Sequence, residues 1–318
     1  MLDAEEALRR GYISRPEQLI RCEEYTRLQG DGRTLCFERL ALPCGLEAIV
    51  SWDRCMDIPE LRYRGMPVNY CGKNEEREDL AVDFSRRFSG GMLYTCGLLR
   101  VGDGDGRQPT HGRIHMQPSS LRSVTRTRDA VVLVGEMREA ALFGENLLLR
   151  RRMTFDLHAA QICIEDTIEN QTPQAQPVML LYHINLGYPF LNERTRLLLP
   201  DGTRSVPVGE EARRDFDRLA VFDPPTPNRG EQDFHHELPH PDGMCRLSAV
   251  SDGLRFSLSY RADTLPYLVE WRCLRAGDYV LGLEPSNNHV DGQPLAQIEP
   301  FGEMRTRVLL RFDEEDIQ

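Results

Sequence analysis

QPVMLLYHINLGYPFL, residues 176–191, is the most apolar run of the chain, and a single imidazole lies at its centre. In an extended strand alternate side chains point to opposite faces, so His183 and Asn185 share a face with Met179 and Leu181. A glycine and a proline follow and end the strand, which puts the two polar residues near its mouth. Such a pair either satisfies its own hydrogen bonds in the core or belongs to a functional site.

Short apolar segments separated by turn residues fill most of the chain after residue 90. Between Leu254 and Tyr260 apolar and polar residues alternate strictly, which is typical of a half-buried antiparallel strand. The predicted strands are 46–52, 92–99, 130–137, 146–157, 161–169, 176–186, 245–250, 254–260, 267–274, 279–284 and 305–312. Many short strands without long helices between them predict a sandwich or a barrel rather than a βαβ fold. We therefore expect an all-β, mainly antiparallel fold with a few short helices.

Helical patterns are few. Residues 3–10 carry acidic residues in their first turn and arginines in their last, as the helix dipole prefers. A second helix is predicted at 75–87 and a short third one within 208–219. The polar segments 53–68 and 231–240 read as connections, the latter as a histidine-rich loop.

Composition limits the classes of function. The 318-residue chain has a formal charge of −11, which argues against nucleic acid and anionic membrane surfaces as partners. No segment has the length and apolarity of a membrane span, and the charged start MLDAEEALRRGY does not resemble a secretory signal. Nine cysteines without a C-x-x-C pair indicate a reducing, cytoplasmic compartment. We expect one domain over 1–318 with 1–20 as an N-terminal arm, as a monomer or a homodimer.

Two further polar clusters interrupt the predicted strands. In THGRIHMQPS, residues 110–119, Gly112 allows a tight turn that would bring His111 and Arg113 together. The arginine fork suits paired sugar hydroxyls or a carboxylate. In YVLGLEPSNNH, residues 279–289, Glu284 precedes a proline at the predicted end of an apolar strand. A carboxylate beside apolar walls has a raised pKa and can act as a base near neutral pH.

The segment 231–240, EQDFHHELPH, is dense in groups that bind metals. These groups are Asp233, His235, His236, Glu237 and His240. Imidazoles and carboxylates are usual metal ligands, but the spacing matches no fixed metal motif. We therefore expect no dedicated metal site here.

Several of these motifs occur together in one known family. HGRI at 111–114, YHINLGYPFL at 182–191 and LGLEPSN at 281–287 follow the order found in the aldose 1-epimerase (galactose mutarotase) superfamily, which the chain resembles. A closer resemblance is to its bacterial DUF4432 branch, through SWDRCMDI at 51–58, YRGMPV at 63–68 and GGMLYTCGL at 90–98. The resemblance runs from about residue 11 to residue 312. Cys55 replaces the glycine of the usual DRGMDI, and His115 with Met116 follows HGRI where small polar residues are commoner.

The resemblance implies a galactose mutarotase-like β-supersandwich that binds a small carbohydrate in an open groove and needs no metal or cofactor. In such enzymes a histidine protonates the ring oxygen and a glutamate removes the proton of the anomeric hydroxyl; by position these would be His183 and Glu284. His111 and Arg113 would hold hydroxyls or the opened oxygen, and Asn185 would orient the substrate. Asp233 or His235 would supply a further hydroxyl-binding group.

Three hypotheses follow. The first is an aldose 1-epimerase-like isomerase that interconverts the anomers of a free sugar or sugar derivative. The second is a metal-dependent keto-sugar isomerase or epimerase, in which His111, His183, His235 and Glu284 gather around a divalent ion. The third is a sugar-binding or sensing protein without catalysis, since fold does not fix function.

Overall fold

Antiparallel strands make up most of the chain, as expected. The structure is a computed structural model that describes residues 3–30, 32–74, 83–290 and 292–315. Three helices are present in these ranges: α1 Ala4–Arg9, α2 Phe84–Arg87 and α3 Gly209–Arg214. Single 3-10 turns occur at Pro16–Gln18, Ile114–Met116 and Phe216–Arg218. No helix within the described ranges has the length and apolar character needed to cross a membrane.

The strands are given in chain order. The first five are β1 Arg21–Leu28, β2 Thr34–Ala41, β3 Leu46–Ser51, β4 Glu60–Tyr63 and β5 Met66–Pro67. The next eight are β6 Tyr94–Leu98, β7 Leu121–Arg126, β8 Ala130–Ala140, β9 Asn146–Asp156, β10 Ala160–Asn170, β11 Gln176–Gly187, β12 Arg196–Leu198 and β13 Arg204–Val208. The last seven are β14 Glu231–Glu237, β15 Met244–Ser251, β16 Leu254–Arg261, β17 Tyr267–Arg275, β18 Asp278–Ser286, β19 Ala296–Ile298 and β20 Glu303–Glu314.

Three antiparallel sheets share one main core. The first contains β1 to β5 in sequence order. The second has the order β12-β15-β16-β20-β10-β9-β8-β7, and the third has the order β13-β14-β17-β18-β11-β19, with β6 also paired to β11. Buried side chains from all three sheets meet in a single apolar cluster, for example Leu61, Ile164 and Leu283. The observed architecture is the β-supersandwich that the sequence predicts.

Strand β11 lies inside the third sheet and separates two apolar layers. Leu180, Tyr182 and Ile184 point into the main core. Met179 and Leu181 point the other way and pack in a smaller cluster around Tyr94, Cys96 and Val101. His183 follows on this second face, as the two-residue repeat of a strand requires.

A buried ionic network joins the two large sheets. The Arg151 side chain is fully buried and donates hydrogen bonds to both carboxylate oxygens of Asp166, at 3.0 and 2.7 Å. It also donates to the Thr95 hydroxyl at 2.9 Å, and the Tyr182 hydroxyl donates to Asp166 at 2.7 Å. Because β9 and β10 belong to one sheet and β6 and β11 to the other, this network fixes how the sheets face each other.

Most predicted elements are present, with a few corrections. Helix α1 agrees with the prediction at 3–10, and Asp3 caps it by accepting a hydrogen bond from the Glu6 amide at 2.8 Å. Of the helix expected at 75–87, residues 75–82 lie outside the described ranges, and the remainder contains the four-residue α2. The interpretation of 231–240 as a loop is wrong, because β14 occupies its first seven residues. The connection predicted at 53–68 likewise contains β4 and β5.

Candidate active site

A cavity of about 340 Å³ opens beside the third sheet, and five of the predicted site residues line it. These five are His111, His183, Asp233, His235 and Glu284. They come from a loop and from strands β11, β14 and β18, so widely separated parts of the sequence meet in one place. Strand pairing brings them together, since β14, β17, β18 and β11 are consecutive neighbours in the sheet.

His183 and Glu284 form the floor of this cavity. Strands β11 and β18 are paired directly beside them, because Ile184, which follows His183, lies opposite Leu283, which precedes Glu284. The distance between His183 Nε2 and Glu284 Oε1 is 3.1 Å, and both side chains are about 95% buried. The contact is close, but it is not aligned as a regular hydrogen bond, and His183 Nδ1 has no partner among the described residues. His183 and Glu284 therefore each have an atom that can still form a hydrogen bond with a ligand.

Burial and neighbouring charges shift the pKa of both groups. Burial, followed by the nearby His111, lowers the pKa of His183 to about 3, although a hydrogen bond with the Asn185 side chain partly offsets the shift. Burial, followed by the negative charge of Asp233, raises the pKa of Glu284 well above its usual value. These opposite shifts favour the uncharged form of both groups, with a shared proton on Glu284 rather than on His183.

Gly282 makes room for the pair. It lies opposite Asn185 on one neighbouring strand and opposite Trp271 on the other. A Cβ atom at this position would lie 2.8 Å from Glu284 Oε1 and 3.2 Å from His183 Cε1. No side chain can be accommodated there without displacing the acidic or the basic group.

Aromatic rings form the walls around His183. The ring centroids of Phe88 and Trp271 lie 5.0 and 5.4 Å from that of His183. The Trp271 indole N–H donates to Glu231 at 3.0 Å, which fixes the ring plane. Sequence reasoning missed Trp271, Glu231 and Phe88, because a tryptophan in an alternating strand predicts burial and gives no sign of which strand lies beside it.

The cavity is acidic. Four carboxylates line it, from Asp103, Glu231, Asp233 and Glu284, together with three imidazoles. No lysine or arginine is among its described lining residues. A negative lining of this kind repels anions and favours neutral ligands rich in hydroxyl groups.

The histidine-rich segment contributes to the cavity from one face only. In β14 the side chains of Gln232, Phe234 and His236 are buried, whereas Asp233 and His235 alternate with them and face the cavity. This two-residue repeat is hard to recognise in the sequence, because polar and charged residues occupy both faces of the strand. The segment was therefore predicted to be a loop.

His236 belongs to a separate structural group. Its Nε2 lies 3.0 Å from Glu270 Oε2, and its Nδ1 lies 2.8 Å from the Ser205 hydroxyl. Arg272 donates to the other oxygen of Glu270, so every charge in this fully buried group has a partner. His236 therefore stabilises the sheet and does not reach the cavity.

Two predicted site residues do not line the cavity. The guanidinium of Arg113 donates to the Gln108 side chain and to the Arg107 carbonyl, on the outside of the loop. His111 and Gly112 have left-handed φ angles of 60° and 71°, and of the two side chains beside this turn only that of His111 lines the cavity. Asn185 is completely buried and donates to the carbonyls of Gly91 and His183 at 3.0 and 3.1 Å.

The metal-dependent hypothesis requires several ligand side chains to gather around one point. Within the described ranges no group of three or more His, Cys, Asp or Glu side chains is arranged to hold a metal ion. The rings of His111 and His183 meet edge to face, with centroids 6.2 Å apart. No observed geometry favours the metal-dependent hypothesis.

Comparison with known proteins places the chain in a family. A sequence profile described as "Domain of unknown function (DUF4432)" matches residues 37–304. Comparison with curated proteins gives no match. A "putative aldose 1-epimerase" from Klebsiella pneumoniae superposes with a TM-score of 0.84 at 17% identity, over 92% of this chain and 83% of that one. Galactose 1-epimerase from Lactobacillus acidophilus has a TM-score of 0.68 at 15% identity, over 93% and 99% of the two chains.

A third similar structure is a galactose mutarotase-like protein from Clostridium acetobutylicum, with a TM-score of 0.64 at 13% identity over 92% of this chain and 99% of that one. The chain therefore has the galactose mutarotase-like fold. Within it the chain belongs to the DUF4432 family, whose profile spans most of its length. The resemblance carried by the sequence motifs is confirmed.

Proposed function

We propose that this protein is an aldose 1-epimerase-like isomerase that interconverts the anomers of a free sugar by acid–base catalysis. The observation that carries the proposal is the buried His183–Glu284 pair on the floor of the cavity, with His183 Nε2 and Glu284 Oε1 3.1 Å apart. Two titratable groups whose surroundings push their pKa values in opposite directions are the usual mark of an acid–base pair.

The reaction needs one proton donor and one proton acceptor. Glu284 removes the proton of the anomeric hydroxyl, the carbonyl forms, and the bond from the anomeric carbon to the ring oxygen breaks. The ring oxygen takes a proton from His183, the carbonyl end rotates, and the reverse transfers close the ring to the other anomer. Protons balance, because ring opening moves one proton to Glu284 and one proton away from His183, and ring closure reverses both transfers.

Sugar binding must move the resting proton. Without a bound sugar the pKa shifts favour the proton on Glu284, whereas the family roles need it on His183. Hydroxyl groups of a bound sugar would donate hydrogen bonds to the Glu284 carboxylate and stabilise its charged form. The proton can then pass over the 3.1 Å contact to the imidazole.

The other described lining groups take supporting roles. His111, Asp233 and His235 supply hydrogen bonds to ring hydroxyls, and Trp271 offers an apolar face for the carbon side of the ring. Asn185 acts on the position of His183 rather than on the sugar, because its side chain is buried beside the histidine backbone. Arg113 has no role in this proposal.

The acidic lining narrows the substrate to neutral sugars. A phosphate, sulfonate or uronic acid carboxylate would meet the negative charges of Asp103, Glu231 and Asp233 and no described arginine or lysine. Repulsion between like charges in a partly dry cavity weakens binding strongly.

One-dimensional NMR of anomer exchange tests the proposal, with a panel of neutral hexoses and pentoses, the corresponding uronic acids, and hexose phosphates. We expect faster exchange for at least one neutral sugar, unchanged by chelator, and none for its anionic counterpart. Binding without acceleration of any sugar would favour a sugar-binding protein, and activity removed by chelator would favour the metal-dependent isomerase.

A further inference from the structure

A second, smaller cavity lies between the first sheet and strand β6, and it shares no lining residue with the candidate active site. Its volume is about 30 Å³. Residues that line it include Ser51, Arg54, Arg87, Tyr94 and His115. Apart from Arg54, which is partly exposed, each of these side chains is more than nine-tenths buried. Two arginines in so small and so buried a space need an explanation.

The cavity concentrates buried polar atoms that have no hydrogen-bond partner, and most of them can only donate. Arg54 Nε, Arg54 Nη2 and Arg87 Nε are buried and have no hydrogen-bond partner among the described residues. The hydroxyls of Ser51 and Tyr94 are buried and unpartnered as well. Buried polar groups nearly always have partners, so a cluster of five unpartnered atoms in one cavity indicates a missing acceptor.

His115 adds another donor. Its Nε2 is in contact with Arg87 Nη1, and a guanidinium can only donate, so Nε2 must be the unprotonated nitrogen. Burial and the charges of Arg87 and Arg54 lower the pKa of His115 well below its usual value and keep the ring neutral. The ring proton therefore lies on Nδ1, which is also buried and unpartnered.

The charge of the arginines is not balanced locally. Arg87 contacts a neutral imidazole and donates to the Thr110 carbonyl at 2.7 Å. The one carboxylate that lines the cavity, Asp57, accepts hydrogen bonds from the amide and hydroxyl of Thr95 and pairs with Arg151 at 3.3 Å. Water could fill the hydrogen bonds but not the charge, and a buried unpaired charge is costly.

We propose that this cavity binds one small monovalent anion of the size of chloride, held between Arg54 and Arg87 with His115, Tyr94 and Ser51 as further donors. The cavity is large enough for a group the size of a water molecule, and a halide is a monovalent anion of about that size. Arg54 comes from the family-like SWDRCMDI segment, and Arg87 immediately precedes Phe88, whose ring packs on His183. The anion would neutralise the positive charge of Arg54 and Arg87 behind Phe88, which forms part of the wall of the candidate active site.

Crystals soaked in sodium bromide test the site directly, because bromide scatters anomalously. We expect an anomalous peak within hydrogen-bonding distance of both guanidinium groups. If crystals soaked at high bromide concentration contain only a water molecule in this cavity, with no anomalous peak, the proposal is contradicted.

Thermal unfolding tests the same site in solution, with sodium chloride compared with sodium methanesulfonate at equal ionic strength. We expect chloride to raise the unfolding midpoint of the wild-type protein, since ligands of the native state stabilise it by mass action. In Arg54→Met, the chloride concentration that produces half of the maximal rise in the unfolding midpoint should be at least tenfold higher than in the wild type. Because Arg54 is partly exposed and two of its nitrogens have no partner among the described residues, this variant should fold, and in methanesulfonate it should be at least as stable as the wild type.

Arg62→Met is the matched control, because Arg62 is an exposed arginine of β4 whose guanidinium donates to the Gly65 carbonyl. It should respond to chloride as the wild type does. An equal chloride response in Arg54→Met and Arg62→Met would contradict the site. A bromide peak without a chloride effect in solution would mean binding at crystal concentration only, and would also contradict it.

Discussion

His183 and Glu284 are in direct contact across neighbouring strands, with Nε2 and Oε1 3.1 Å apart on the floor of a cavity. The chain holds a second buried His–Glu pair, His236 with Glu270, at 3.0 Å. The second pair is completed by Ser205 and Arg272, whereas His183 Nδ1 and Glu284 Oε1 have no hydrogen-bond partner among the described residues. The same two residue types thus form a satisfied structural pair at one place and an unsatisfied pair facing a cavity at the other.

The pH dependence of anomer exchange should be set by the one-proton state of the pair. The lowered pKa of His183, about 3, means that a second proton binds only in strong acid. The raised pKa of Glu284 means that the single proton is lost only well above the usual carboxyl range. After subtraction of the spontaneous reaction, the rate should therefore stay level from pH 7 down to pH 5. A fall by half near pH 6.5, where an ordinary imidazole titrates, would contradict this account.

Gly282→Ala should reduce the rate of exchange at least tenfold with little loss of stability. The added methyl group would lie 2.8 Å from Glu284 Oε1 and would displace the reacting pair. Gly30→Ala is the control, since a Cβ at that position meets no atom within 4 Å. The comparison needs exchange rates by NMR and unfolding midpoints. Normal activity in Gly282→Ala would show that the position of the pair is not critical.

Arg151→Met should lower the free energy of unfolding by about 3–5 kcal/mol, because it leaves Asp166 buried without its partner. Arg150→Met tests the neighbouring residue on the opposite face of β9, where the arginine forms exposed ion pairs with Glu136 and Glu169. Such surface pairs contribute about 0–1 kcal/mol. Denaturant unfolding of both variants measures the difference. Equal losses would argue against a central role for the buried network.

Much of the fold could be predicted from local patterns. Strands with strict alternation, such as Leu254–Arg261, and long apolar runs, such as Gln176–Gly187, keep the bounds expected of them within a few residues. Strand Glu231–Glu237 was missed because two of the three residues on its buried side, Gln232 and His236, are polar, so it lacks the apolar face that usually reveals a half-buried strand.

The candidate site was predictable only in part. The family motifs pointed to His111, His183 and Glu284, and strand pairing brings these three to one cavity. Arg113 could not be placed, because the direction of a side chain after a left-handed turn depends on the whole loop. Gly282 and Trp271 were not predicted, since their importance comes from cross-strand neighbours that periodicity does not specify.

The most direct test of the central claim is to measure anomer exchange and unfolding together in Glu284→Gln and Glu270→Gln. Both substitutions neutralise the buried carboxylate of a His–Glu pair and keep its shape. Glu284→Gln should lose at least a hundredfold in exchange rate and keep its stability, because Glu284 is the proposed base and its raised pKa already favours the uncharged form. Glu270→Gln should keep the rate per folded molecule and lose stability, because it leaves Arg272 unpaired. Catalysis that survives in Glu284→Gln would contradict the assignment of this pair as the reacting groups.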